Sequence, residues 1–203
     1  MNKNGEIKEY MPVMTVFLIA ANAVVFVLQL INGGSEDTGS LVKMGAFYAP
    51  FVLEEGQWYR LFNPMFLHIG LEHLLFNMLA LFSTGQYIEQ YFGRVRFVII
   101  YLLSGIAGNA LTLFGELLIT HHFAVSAGAS GAVSGLFGAM VILAIDKRTG
   151  RYFSLPRVLI GLLFLIFPGG GTENINVTAH VGGMICGFLT GLFFYLIRKK
   201  PGY

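Results

Sequence analysis

The chain has 203 residues, of which 55% are hydrophobic and only 12% charged, with a mean hydropathy of +0.69. Soluble domains carry about 25% charged residues, so this composition excludes a wholly water-facing surface and points to a membrane protein. A net charge of +2, with no basic cluster interleaved with aromatics, excludes nucleic acid as a partner, and the single cysteine, Cys186, excludes an internal disulfide or a CxxC site.

Segments 1–10 form a short N-terminal head with mixed charge: Lys3, Glu6, Lys8 and Glu9. The apolar run that follows is longer than the core of a signal peptide and has no small-x-small site after it, so it reads as a retained first span. A bilayer core needs about 20 mostly apolar residues per helix. Candidate spans are 11–32, 71–91, 97–114, 127–145, 153–167 and 177–197, bounded for the fifth by Pro156 and Pro168. Taken alone, that fifth segment is short enough to be interfacial. If all six cross and the N-terminus is cytoplasmic, 11 of the 13 Lys and Arg fall inside and only Lys43 and Arg60 fall outside, as the positive-inside rule requires. Without the fifth crossing, Arg198, Lys199 and Lys200 would be stranded outside. The expectation is therefore an all-α membrane protein with six transmembrane helices and both termini cytoplasmic, residues 11–200 making one domain. The first outer loop, about 33–70, is too long to be structureless. Its aromatic-rich part, 47–66, suits a segment lying in the outer interface. The last outer loop, with its Gly169-Gly170-Gly171 run, reads as flexible.

Polar groups inside a span need a reason. His73 and Asn77 lie in the first turns of the second span, Ser130 in the first turn of the fourth and His180 in the first turn of the sixth. All three spans run from outside to inside under this topology, so the four side chains share one depth in the outer half of the membrane. Asn109 and Ser134 are the other polar residues singled out, and His68 lies just ahead of the second span. On the fourth span Ala127, Ser130, Gly131, Ser134 and Gly138 make a small-residue stripe. On the sixth, His180, Gly183, Gly187 and Gly191 make another. Such stripes let membrane helices approach closely. Facing each other, they would bring the serine to an imidazole able to take its proton, which a hydroxyl needs to become nucleophilic. No carboxylate lies at that level, so the chemistry would be a Ser–His dyad. The amides at the start of the fourth helix, with donors from His73 and Asn77, would hold a developing oxyanion.

At these residues the sequence resembles the rhomboid intramembrane proteases. Gly128-Ala129-Ser130-Gly131 is similar to the family's GxSG motif, and His68, His73 and Asn77 to its H-x4-H-x3-N pattern. His180, Gly183 and Gly187 resemble its last-helix histidine and GxxxG, Trp58-Tyr59-Arg60 its first-loop signature, and Glu89 and Gly93 an acidic residue and glycine that it carries. The resemblance implies a dyad of Ser130 and His180 and an oxyanion site of His73, Asn77 and the Ser130 amide. It implies supporting parts for His68 and Gly128, no cofactor or metal, and membrane-protein substrates cut in or near a transmembrane segment. The implied setting is a bacterial plasma membrane, with the site opening to the non-cytoplasmic side. One departure stands out: four residues after the nucleophile the family commonly has Tyr or Phe against the histidine, and this chain has Ser134.

Rival readings are weaker. Ser130 and His180 as packing residues leave their shared depth unexplained. Zinc on His68, His73 and His180 lacks an HExxH motif or an intramembrane carboxylate base. A catalytically silent relative that binds transmembrane helices usually lacks the serine or the histidine, and this chain keeps both. A channel or transporter would show mid-membrane charges or repeated halves. Arg60, Trp58, Tyr59 and Glu89 read as structural, and His121 and His122 as solvated.

Overall fold

The structure is a computed structural model that describes residues 10–146, 149–150, 155–166 and 176–197. The basic residues Lys3, Lys8, Lys147, Arg148, Arg151 and Arg198 to Lys200, the triple glycine and the ends of the fifth apolar segment lie outside the described residues. Within them the chain is helical: α1 (Val13–Ile31), α2 (Thr38–Lys43), α3 (Ala49–Leu53), α4 (Gly70–Phe92), α5 (Arg94–Gly115), α6 (Ser130–Ile145), α7 (Leu155–Ile166) and α8 (Val177–Ile197). Two tight turns, Trp58–Leu61 and Asn63–Phe66, lie between α3 and α4, and one wide turn, Glu116–Thr120, extends α5. Among the described residues three helical stretches are long and apolar enough to cross a bilayer: Val13–Ile31, Arg94–Thr120 and Val177–Ile197. The shorter α6 is apolar as well. Helix α7 occupies the fifth apolar segment over 12 residues. Pro156 falls in its first turn, where a missing N–H is harmless.

Helices α6 and α8 make the closest pairing, and α5 packs beside both. In lipid there is no hydrophobic drive between helices, so contact rests on packing. The small residues permit it. A Cβ on Gly183 would strike the backbone carbonyl of Gly131, and one on Gly187 the carbonyl of Gly135. One on Gly138 would strike the carbonyl of Met184. The α6 stripe therefore runs through Gly131, Gly135 and Gly138. Gly135, absent from the expected stripe, belongs to it, whereas Ala127 precedes the helix. Around this contact Leu81, Ile88, Phe97, Ile100, Tyr101, Val133, Leu136 and Leu143 form the core.

Two polar devices attach the remaining parts. The Glu89 carboxylate, fully buried on α4, accepts from the Met14 amide (3.1 Å), the Thr15 amide (2.8 Å), the Thr15 hydroxyl (2.8 Å) and the Tyr10 hydroxyl (3.1 Å). The two amides are orphan donors at the start of α1, so a carboxylate there satisfies their bonding and suits the helix dipole. In the first loop the buried Arg60 donates to the carbonyls of Val42 (2.9 Å) and Ala46 (2.7 Å) and to Gln57 Oε1 (2.7 Å). Its structural part is as expected, while Trp58 and Tyr59 stay exposed.

Candidate active site

The nucleophile loop is clamped before α6 begins. Phe47 and Ser126 exchange backbone bonds of 2.9 and 3.0 Å, and the Gly128 amide donates to the Pro64 carbonyl at 2.9 Å. Ser130 then opens α6 with no side chain capping the helix start, which leaves first-turn amides available to another acceptor. The opposite wall is α8. Asn176 caps its start, its Oδ1 accepting from the Ala179 amide (2.9 Å). The Thr112 hydroxyl donates to that same oxygen at 3.0 Å, and Asn176 Nδ2 donates to Ser126 Oγ at 3.2 Å. One side chain thus ties α8 to α5 and to the nucleophile loop. Asn176 was not foreseen from the sequence, where it ends a Gly- and Asn-rich loop; its signal was an Asn immediately before an apolar run, an N-cap pattern.

Across this frame His180 Nε2 stands 2.7 Å from Ser130 Oγ. The imidazole is 4% exposed, and its Nδ1 has no partner among the described residues. If Nε2 accepts the serine proton, Nδ1 must carry its own proton. Ser134 Oγ is also buried and has no partner among the described residues; where the resemblance leads one to expect an aromatic ring there is a small hydroxyl. His180 lies one turn above the Gly183 contact with α6, so the close approach of the two helices sets where its backbone stands.

His73 lies beside the serine. A Cβ on Gly128, whose φ is +150°, would come within 2.7 Å of His73 Cε1 and 3.0 Å of its Nε2, and 3.6 Å from Ser130 Oγ. Glycine there leaves room for the His73 ring and permits a backbone turn that other residues resist. Asn77 is buried, and its Nδ2 donates to the His73 carbonyl at 2.8 Å. An amide nitrogen has two N–H groups, so one donor remains. His68 is fully buried and meets the His73 ring edge-on with centroids 5.4 Å apart. Burial, and then the neighbouring His73, holds the His68 imidazole well below its usual range, so it is neutral. Its backbone is gripped by Gln29 of α1, which donates to the His68 carbonyl and accepts from its amide, both at 3.0 Å. Gln29 also went unforeseen, although a glutamine within an apolar span carries the same signal that drew attention to Asn77. Asn109 donates to the Leu61 carbonyl at 2.9 Å and so braces the first loop. His121 and His122 are exposed. Among the described residues no three His, Cys, Asp or Glu side chains converge as a metal site would need.

Ser130, His180, His73 and Asn77 all line one cavity of about 800 Å³. A family profile described as the rhomboid domain matches residues 55–197. The chain belongs to the rhomboid family. Rhomboid protease GluP of Bacillus subtilis is 39% identical over 179 residues, covering 87% of this chain and 34% of GluP. RHOMBOID-like protein 1 of Arabidopsis thaliana is 37% identical over 167 residues, 81% of this chain and 41% of that protein. The rhomboid relative YdcA of Bacillus subtilis is 34% identical over 196 residues, 93% of this chain and 90% of YdcA. The chain therefore spans well under half of GluP and of the Arabidopsis rhomboid, and nearly all of YdcA. Helix α1, with its Gln29 grip on His68, lies ahead of the matched rhomboid domain and still contributes to the site.

Proposed function

We propose that this rhomboid is an intramembrane serine endopeptidase that cleaves transmembrane segments of membrane proteins through a Ser130–His180 dyad. The observation that carries the reading is the 2.7 Å contact between Ser130 Oγ and His180 Nε2 at the start of two abutting helices. Ser130 Oγ attacks the scissile carbonyl carbon as His180 Nε2 takes its proton. The tetrahedral oxyanion is met by the Ser130 amide, His73 and the remaining Asn77 N–H. Collapse breaks the C–N bond, His180 gives its proton to the departing amine, and an acyl ester remains on Ser130. A water, deprotonated by His180, attacks that ester and releases the acid and the serine. Oxyanion donors act where charge develops, and each is worth roughly 10²–10³ in rate. His68 supports the His73 ring by packing, and Gly128 makes room for it.

The topology belongs to the same proposal: six crossings, both ends cytoplasmic, and a cavity open to the non-cytoplasmic side of a bacterial plasma membrane. It is supported by the distribution of Lys and Arg and by exposed Trp58, Tyr59 and Phe62 on the first loop, a composition suited to the membrane interface. Substrates are membrane proteins, single-pass or other, and the reaction needs no cofactor.

The test is cleavage of a model transmembrane substrate by purified, folded protein. Ser130→Ala and His180→Ala are each expected to lower turnover by at least about 10⁴-fold. Undiminished cleavage in either would refute the dyad.

A further inference from the structure

Helix α1 is fastened to the rest of the chain at both ends. At its start the Met14 and Thr15 amides donate to Glu89 of α4. At its end Gln29, fully buried, donates through Nε2 to the His68 carbonyl and accepts at Oε1 from the His68 amide, both at 3.0 Å. Losing this side-chain amide would strand a buried backbone donor and a buried backbone acceptor together. The His68 carbonyl shares a peptide unit with the Ile69 N–H. A trans peptide is planar and rigid, and its C=O and N–H point opposite ways, so the bond that fixes one aims the other. The Ile69 amide donates to His73 Nδ1 at 3.4 Å. An accepting Nδ1 carries no proton, and in a neutral imidazole the proton is then on Nε2. Nε2 lies on the side of the nucleophile loop: a Cβ on Gly128 would stand 3.0 Å from it and 3.6 Å from Ser130 Oγ. The His68 ring, edge-on with centroids 5.4 Å apart, makes a second contact with the same imidazole. Gln29 therefore reaches His73 by two routes through one residue.

Resting on the protease reading above, we propose that Gln29 is a positioning residue for the oxyanion site. Through the His68–Ile69 peptide it sets the tautomer and ring orientation of His73, so that Nε2–H is presented to the oxyanion. Its effect falls on the transition state, where charge develops on the carbonyl oxygen, and spares the binding of substrate. Helix α1 thereby enters the chemistry without touching a reacting atom.

The experiment is a double-mutant cycle between Gln29→Met and His73→Ala in the full chain, read as kcat and KM on a model transmembrane substrate. Gln29→Met preserves side-chain length and removes both bonds. Alone it should lower kcat by about 10-fold and leave KM within about two-fold of wild type. In the His73→Ala background it should lower kcat by less than about two-fold further, because the group it acts through is gone. Denaturation midpoints are recorded for all four proteins; a fall in both backgrounds cannot account for a kinetic effect that vanishes in one. A second readout needs neither substrate nor a Gln29 variant. In nitrogen NMR spectra of histidine-labelled wild-type protein, with His73 assigned by its absence from His73→Ala, the neutral ring should carry its proton on Nε2. Gln29→Met should move part of that population to Nδ1. An Nδ1–H ring in the wild-type protein, a tautomer unmoved by Gln29→Met, or an equal kcat effect in both backgrounds would each overturn the proposal. The wild-type spectrum stands even where a variant fails to fold. Ser130→Ala runs in parallel. If it is inert while Gln29→Met acts equally in both backgrounds, the positioning role alone fails; if it still cleaves, the protease reading fails first.

Discussion

Replacing Gly187 by alanine adds one methyl group at the tightest part of the α6–α8 contact. The new Cβ would fall on the carbonyl oxygen, carbonyl carbon and Cα of Gly135. These are backbone atoms of a helix and cannot rotate aside. Carbon atoms settle at about 3.5–4.0 Å, so α8 must withdraw from α6 by roughly 1 Å or more. Overpacking of this kind costs about 1–3 kcal/mol. His180 rides on the same helix two turns away, and a retreat of that size stretches its 2.7 Å contact with Ser130 beyond hydrogen-bond range. Misplacement by about 1 Å is enough for a loss near 10²-fold. The control is Gly115→Ala, whose Cβ would meet only Thr178 Cγ2 at 3.6 Å, an ordinary contact. Gly191→Ala, 2.9 Å from Ala139 Cβ, should fall between. Turnover and the midpoint of denaturation in detergent are measured for all three. Wild-type turnover and stability in Gly187→Ala would show that the two helices are not in backbone contact, and the reasoning would be wrong.

Glu89→Gln should destabilise the fold by roughly 1–3 kcal/mol. The amide would turn a donor toward the Met14 and Thr15 donors that the carboxylate now satisfies, and the denaturation midpoint reads the loss. Gly128→Ala should cut turnover by about 10²-fold, with a smaller effect on stability, since the methyl group would displace the His73 ring; substrate cleavage beside a denaturation curve separates the two. Asn77→Ala should slow turnover by roughly 10²-fold, less than either dyad substitution, as a comparison of kcat values will reveal. Asn176→Ala should lower stability by about 0.5–2 kcal/mol through loss of the helix cap and reduce turnover as well, because the same side chain holds the nucleophile loop through Ser126.

The sequence was most informative where physics acts along one helix. The apolar run 177–197 became α8 with the same limits, and 71–91 differs from α4 by one residue at each end, because apolar length in lipid leaves little freedom. Ser130 and His180 came together because both lie in the first turn of their helices and small residues repeat below each. What the sequence concealed lies between elements. Asn176 looked like one more polar residue in a loop, and only tertiary packing brings Thr112 and Ser126 to it. Gln29 sits 39 residues from His68, a pairing that no local periodicity encodes. Gly135 joined the α6 stripe because helix rotation is set by the partner, and spacing alone allowed neighbouring rows. Ser134 was legible as a departure, but that its hydroxyl and the His180 Nδ1 are both buried without a partner among the described residues required the fold.

The central claim is that the Ser130 hydroxyl is activated by His180. A serine-directed fluorophosphonate measures this without any substrate, since it reacts with an activated hydroxyl and leaves a covalent adduct that peptide mass spectrometry can locate. The account predicts a single adduct on Ser130 in the wild-type protein and near-complete loss of labelling in folded His180→Ala. An adduct on another residue, or undiminished labelling without the imidazole, would contradict it.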